Sequence, residues 1–126
     1  MGTVGYLLDT HTFLWAVCDS RRLGAGAKKV IADAGAPLFL SPASAYEIMN
    51  KHRIGKLPGY EYVADNYLDI LRDFGAEELP ISARQAYFAG KFEWTHRDPF
   101  DRFLVAQAYM ENLTLLSQTS QQLLRE

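Results

Sequence analysis

Short apolar runs that alternate with longer helix-like stretches limit what this chain can fold into more than any other feature. Residues 4–9 (VGYLLD), 37–40 (PLFL) and 113–116 (LTLL) read as strands, and a further strand is expected near 78–81. Between them the pattern is helical. Residues 10–18 continue apolar without a turn signal, and 25–34 form a second helix before Gly35. Ser41-Pro42 is a cap followed by proline at the first helical position, opening a helix that carries Ala45, Glu47, Ile48 and Lys51 toward Gly55. Across 60–74, Val63, Tyr67, Leu68, Leu71 and Phe74 recur at helical spacing, and Gly75 supplies the left-handed stop. Ser82 caps a helix through about residue 92, Asp98-Pro99 opens one to Glu111 with Asn112 as its stop, and a short helix follows Thr119. This alternation predicts an α/β fold: a parallel β-sheet of four or five strands with helices on both faces.

The chain has 126 residues, 48% of them hydrophobic, which fits one domain with an adequate core and no second one. Its single cysteine, Cys18, excludes an intramolecular disulfide; no Cys/His cluster offers a zinc site, and on an apolar helix Cys18 reads as core. A net charge of −2 gives no overall electrostatic commitment to nucleic acid or anionic membrane. The longest apolar run, 13–18, is far short of the roughly 18 residues of a membrane span, and no signal segment opens the chain. The expected location is cytoplasmic.

Three acids stand where chemistry is plausible: Asp9 ending an apolar strand, Glu47 early in a helix, and Asp101 one turn into another. In parallel sheets, ligands bind beyond the C-terminal strand ends where strand order reverses, so Asp9 belongs at that edge and Glu47 can converge on it. Clustered carboxylates repel unless a cation neutralises them, and oxygen-only donors select magnesium or manganese over zinc. A hard divalent ion that retains waters can activate one and offset charge building on a phosphodiester, which makes metal-assisted hydrolysis the sharpest hypothesis. Plainer roles compete. Ser44-Ala45-Tyr46-Glu47 also fits a capping box, while Asp98 can cap its helix and Asp101 can serve the helix dipole. For Asp9 no capping role demands a carboxylate over a serine.

Other residues are less telling. His11, His52 and His96 could form an acid/base pair for metal-free transesterification, or be ordinary polar residues near helix starts. Lys51-His52-Arg53 with Lys56 is a basic patch suited to a phosphate backbone, or a solvated helix end. Trp15, Trp94 and the tyrosines read as packing. An aspartyl-phosphate phosphatase would want a second aspartate two residues after Asp9, where His11 stands.

Taken together, LLDTHTFLW (7–15), SPASAYEIMNKHRIGKL (41–57) and HRDPFDRFLVAQA (96–108) resemble a PIN-domain protein of the VapC toxin type, from Tyr6 to about Ser117. The resemblance implies one PIN-like domain over 1–126, acting as a Mg²⁺- or Mn²⁺-dependent endoribonuclease. It also implies a homodimer and a cognate VapB-like antitoxin that inserts a C-terminal segment into the active-site groove. The family's acidic site maps onto Asp9, Glu47 and Asp101 as catalytic metal ligands, with Asp98 a neighbour and helix cap. Thr10 or Ser117 would support those ligands or the phosphate, and Lys51, Arg53, Lys56, Arg97 and Arg102 would track RNA. One departure stands out. The family commonly has threonine, any residue, aspartate after the fourth strand, whereas this chain reads Ser117-Gln118-Thr119, with a hydroxyl at Thr119 replacing the fourth acid. Relatives usually continue beyond the position of Arg125-Glu126 into one more short strand. The alternative is therefore a weakened or inactive PIN-fold module that binds antitoxin or RNA without cutting.

Overall fold

The computed structural model describes residues 4–93 and 98–117. In order these form β1 (Tyr6–Leu8), α1 (Thr10–Cys18), a 3₁₀ turn (Ser20–Arg22), α2 (Ala25–Ala32), β2 (Leu38–Leu40) and α3 (Pro42–Arg53). There follow α4 (Glu61–Asp65), α5 (Tyr67–Phe74), β3 (Glu77–Glu78), α6 (Ala83–Lys91), α7 (Pro99–Met110) and β4 (Thr114–Leu116). The strands form one parallel sheet in the order β3-β2-β1-β4, with Leu7 opposite Phe39 on one side and Leu115 on the other. The chain builds outward from β1 through β2 to β3 and then returns to place β4 on the opposite flank. Strand order thus reverses between β1 and β4, the place where a parallel sheet opens a crevice at its C-terminal edge.

Successive side chains of a strand point to opposite faces, so a central strand covered on both sides must be apolar throughout. Leu7 and Leu8 meet that requirement, each fully buried. Leu8 packs with Leu40 against Phe13 and Leu14 of α1, Ile48 of α3, Val63 of α4 and Tyr67 of α5. Leu7 and Leu115 pack against Leu104, Val105 and Ala108 of α7. Helices therefore cover both faces, as the alternation predicts. Among the described residues, no helix is long and apolar enough to cross a membrane.

The structure departs from the sequence reading in three places. The helix expected over 60–74 is broken at Asn66, whose side-chain amide donates to the Tyr62 carbonyl at 2.9 Å and whose backbone (φ −125°, ψ 28°) leaves the helical region. The break changes the phase of α5, leaving Leu68 exposed at 76% although it belongs to the apolar repeat. The strand expected near 78–81 lies at Glu77–Glu78, pairing with Phe39 and Leu40 at the sheet edge. Leu79 still donates to the Leu40 carbonyl, but Pro80 has no N–H with which to continue the ladder. Cys18 is exposed rather than core, because it is the last residue of α1 and extends past the face that buries Phe13 and Leu14. The helix expected after Thr119 lies outside the described residues. Gly75 does close α5 in the left-handed region, at φ 91°.

Gln107, within the LVAQA segment, is fully buried in α7 and acts as an internal latch. Its amide donates to the carbonyls of Leu79 at 3.0 Å and Pro80 at 3.2 Å, satisfying the chain where β3 ends. It also reaches the Gln85 side-chain oxygen at 3.3 Å, which in turn accepts the Ser82 N–H in the capping box of α6. Gln107→Ala would take this donor from the Leu79 and Pro80 carbonyls and open a void. We expect a loss of roughly 2–3 kcal/mol, read as a lowered urea midpoint at unchanged m-value.

Candidate functional site

Two helices reach the C-terminal edge of the sheet by the same device. Ser41 caps α3 by accepting the Ala43 N–H at 3.0 Å with Pro42 following, and Asp98 caps α7 by accepting the Phe100 N–H at 2.9 Å with Pro99 following. A cap at Ser41 decides between the two readings of Glu47: it lies in the second turn, beyond the reach of a capping box. The Ser44 hydroxyl instead shares a buried 2.9 Å hydrogen bond with the Thr10 hydroxyl, fastening the start of α1 to α3. Asp9, just before Thr10, is thereby held close to Glu47. Tyr46 and Phe100, each preceding a site acid, meet with ring centres 5.8 Å apart and complete the contact between α3 and α7.

The result is a pocket of about 220 Å³ into which Asp9, Glu47, Asp98 and Asp101 project. Lys51, His11 and Ser117 complete its polar wall, and Val105 and Leu115 supply apolar wall. Glu47 is buried, and its Oε2 accepts from Lys51 Nζ at 2.6 Å. Burial raises the Asp9 pKa from 3.8 to about 6, helped by the charges of Asp101 and Glu47 and opposed by the amides of Thr10 and His11. Asp9 is the N-cap of α1 by position, yet its side chain makes no cap hydrogen bond. For Lys51, burial alone would lower the pKa, but the hydrogen bond and charge of Glu47, with Asp98 and Asp101 beyond, raise it instead. Asp9 is raised chiefly by burial and Lys51 chiefly by its bond to Glu47, and the clustered carboxylate charge adds to both shifts.

The donors fit a hard divalent cation in kind, since the acids offer only oxygen and the pocket has no thiol. Among the described residues no three His, Cys, Asp or Glu side chains are arranged to hold an ion as they stand. Magnesium or manganese would thus be held by few direct carboxylate contacts, with waters making up the shell.

The structure gathers Asp9, Glu47, Asp101, Asp98, Ser117 and Lys51 at one place. Thr10 is buried behind them. Arg53 and Lys56 are exposed at the far end of α3, Arg53 bonded to Asn50. Arg102, assigned to RNA from the sequence, is also engaged within the fold. Its guanidinium donates to the carbonyls of Ala89 at 2.8 Å and Phe92 at 2.7 Å and lies over the Phe92 ring, tying α7 to the end of α6. Arg97, His96 and Thr119 lie outside the described residues. Sequence reasoning missed the pairing of Lys51 with Glu47, although their four-residue spacing on one helix was a readable signal. It also left His11 without a place in the pocket wall.

The family model for the PIN domain matches residues 6–121. No curated protein matches the chain significantly. Among solved structures, VapBC2 from Rickettsia felis bound to a DNA fragment from its promoter superposes with a TM-score of 0.62 at 19% identity, over 87% of this chain and 84% of that one. The family match spans every described strand of the sheet and every acid of the pocket, and the chain belongs to the PIN-domain family.

Proposed function

We propose that this chain is a VapC-type endoribonuclease, the toxin of a toxin–antitoxin pair, hydrolysing RNA phosphodiester bonds with Mg²⁺ or Mn²⁺. The observation that carries this reading is the convergence of Asp9, Glu47 and Asp101 at the strand-order reversal, with Asp9 raised to about 6 by burial among like charges. PIN domains generally use divalent ions, and the likeness to a VapBC2 structure supports the toxin type and a VapB-like antitoxin as partner. A homodimer in the cytoplasm completes the proposal.

When bound, the ion offsets negative charge on the phosphate and lowers the pKa of a water for attack. Asp9, Glu47 and Asp101 would hold it, directly or through water. The Thr10–Ser44 hydrogen bond keeps the first two acids in register by fixing the starts of their helices. Asp98 adds charge at the rim while capping α7. The hydroxyl of Ser117 can orient a water or phosphate oxygen, and Thr119 is assigned a similar supporting role. Arg53, Lys56 and Arg97 are the proposed backbone contacts to RNA.

A weakened PIN module that binds antitoxin or RNA without cleavage is the second reading, favoured by the sequence Ser117-Gln118-Thr119, which has a hydroxyl at Thr119 where the family commonly carries its fourth acid. Cleavage of a mixed pool of structured RNA separates the two. The nuclease reading expects cutting with Mn²⁺ or Mg²⁺ that EDTA and Asp101→Asn abolish; RNA left intact under all conditions favours the binding module.

A further inference from the structure

The Lys51–Glu47 contact differs from an ordinary helix-surface ion pair. The Glu47 side chain is only 6% exposed, the Lys51 side chain 31%, and Nζ stands 2.6 Å from Oε2 on the wall of a pocket that also holds Asp9, Asp98 and Asp101. A surface pair at this spacing contributes little and is readily solvated. Here the carboxylate is buried among other acids, and leaving it unpaired would be costly. Lysine suits the position because its ammonium is a point charge on a flexible four-carbon stem, able to leave one oxygen for another without a fixed fork geometry.

We propose that Lys51 is the pocket's resident counter-cation: it occupies Glu47 while no divalent ion is bound, yields that carboxylate when the ion arrives, and then takes a non-bridging oxygen of the substrate phosphate. A divalent ion that takes Glu47 Oε2 directly competes there with the Lys51 ammonium, and direct coordination at that oxygen is the case in which ion binding drives Lys51 outward. With Asp9, Asp98 and Asp101 gathered at the same pocket, the substrate phosphate is the incoming anion that the released ammonium would meet. Ion and phosphate thus strengthen each other's binding through one side chain, and by linkage the effect is reciprocal. The phosphate half of this proposal rests on the nuclease reading; the displacement half does not.

Mn²⁺ titration followed by electron paramagnetic resonance, at pH 7, tests displacement in the wild type, Lys51→Met and Lys51→Gln. Both variants are expected to bind Mn²⁺ between about five- and a hundredfold more tightly, because the competitor is gone. In wild type, Mn²⁺ should also tighten binding of a 2′-O-methyl RNA oligonucleotide, and the variants should lose most of that gain. Equal or weaker Mn²⁺ binding by folded variants overturns the proposal, as does an absence of Mn²⁺ binding by every form. If circular dichroism shows both variants unfolded, acetic anhydride labelling of wild type decides: Mg²⁺ should raise Lys51 acetylation, and unchanged labelling overturns displacement. Tighter Mn²⁺ binding without cleavage of any RNA would remove the nuclease reading while leaving Lys51 as the counter-cation.

Discussion

Asp9→Asn is expected to abolish metal-dependent RNA cleavage and, in the same protein, to raise the melting temperature of the metal-free form. Loss of activity follows from removing a carboxylate that holds the ion; several kcal/mol of transition-state stabilisation corresponds to a fall of about a thousandfold or more. Gain of stability follows from the pKa. An acid raised from 3.8 to about 6 on folding binds its proton more tightly in the folded state. Its ionised form therefore opposes folding at every pH above about 6. The penalty is relieved as pH falls from about 6 toward 3.8, and a shift of this size corresponds to about 3 kcal/mol. Asparagine never ionises, so the variant should melt about 5–10 °C higher at pH 7 and lose this group's share of the wild type's rise in stability between pH 7 and pH 5. Scanning calorimetry of both proteins at the two pH values gives the answer. A variant less stable than wild type at pH 7 would mean that Asp9 is compensated by contacts beyond those described.

Phe13→Ala is expected to be the most destabilising single core substitution near the site, by about 3–5 kcal/mol. Phe13 is fully buried and meets Tyr67 and Phe74 edge-on, with ring centres 5.9 and 5.4 Å away. It anchors α1 to α5, and α1 begins at the residue after Asp9. Because small domains have only about 5–15 kcal/mol in hand, the loss should appear as a drop of more than 10 °C in melting temperature. Phe13→Leu retains most of the volume and should cost far less. Equal effects from the two would show that the edge-on ring geometry, rather than filled space, holds α1 in place.

Much of this architecture was legible because its signals are local. The strands around Leu7 and Leu8, Leu38–Leu40 and Leu115 declare themselves as short apolar runs, and Ser41-Pro42, Asp98-Pro99 and Gly75 mark helix ends by their own backbone chemistry. The convergence of Asp9 with Glu47 followed from parallel topology alone. Glu47's competing capping role was resolvable from the same string, since a cap at Ser41 leaves Glu47 too far along the helix. What stayed hidden depends on tertiary choices. Asn66 breaks a continuous apolar repeat through one side-chain hydrogen bond, and β3 pairs earlier than expected because Glu77 and Glu78 meet β2 at an exposed edge. Arg102 reads as a free cation in sequence, but the end of α6 brings two carbonyls to its guanidinium. Cys18 sits at the helix end, where apolar neighbours in sequence do not guarantee burial.

The central claim is that the fold assembles Asp9, Glu47 and Asp101 into a site for one divalent ion. Anomalous diffraction at the manganese edge, from crystals grown with Mn²⁺, tests it most directly. The account predicts a peak inside this pocket, contacted by at least one of the three carboxylates directly and by the others directly or through ordered water, and absent in Asp9→Asn. A pocket without a manganese peak at saturating Mn²⁺, or an ion bound only elsewhere, would contradict it.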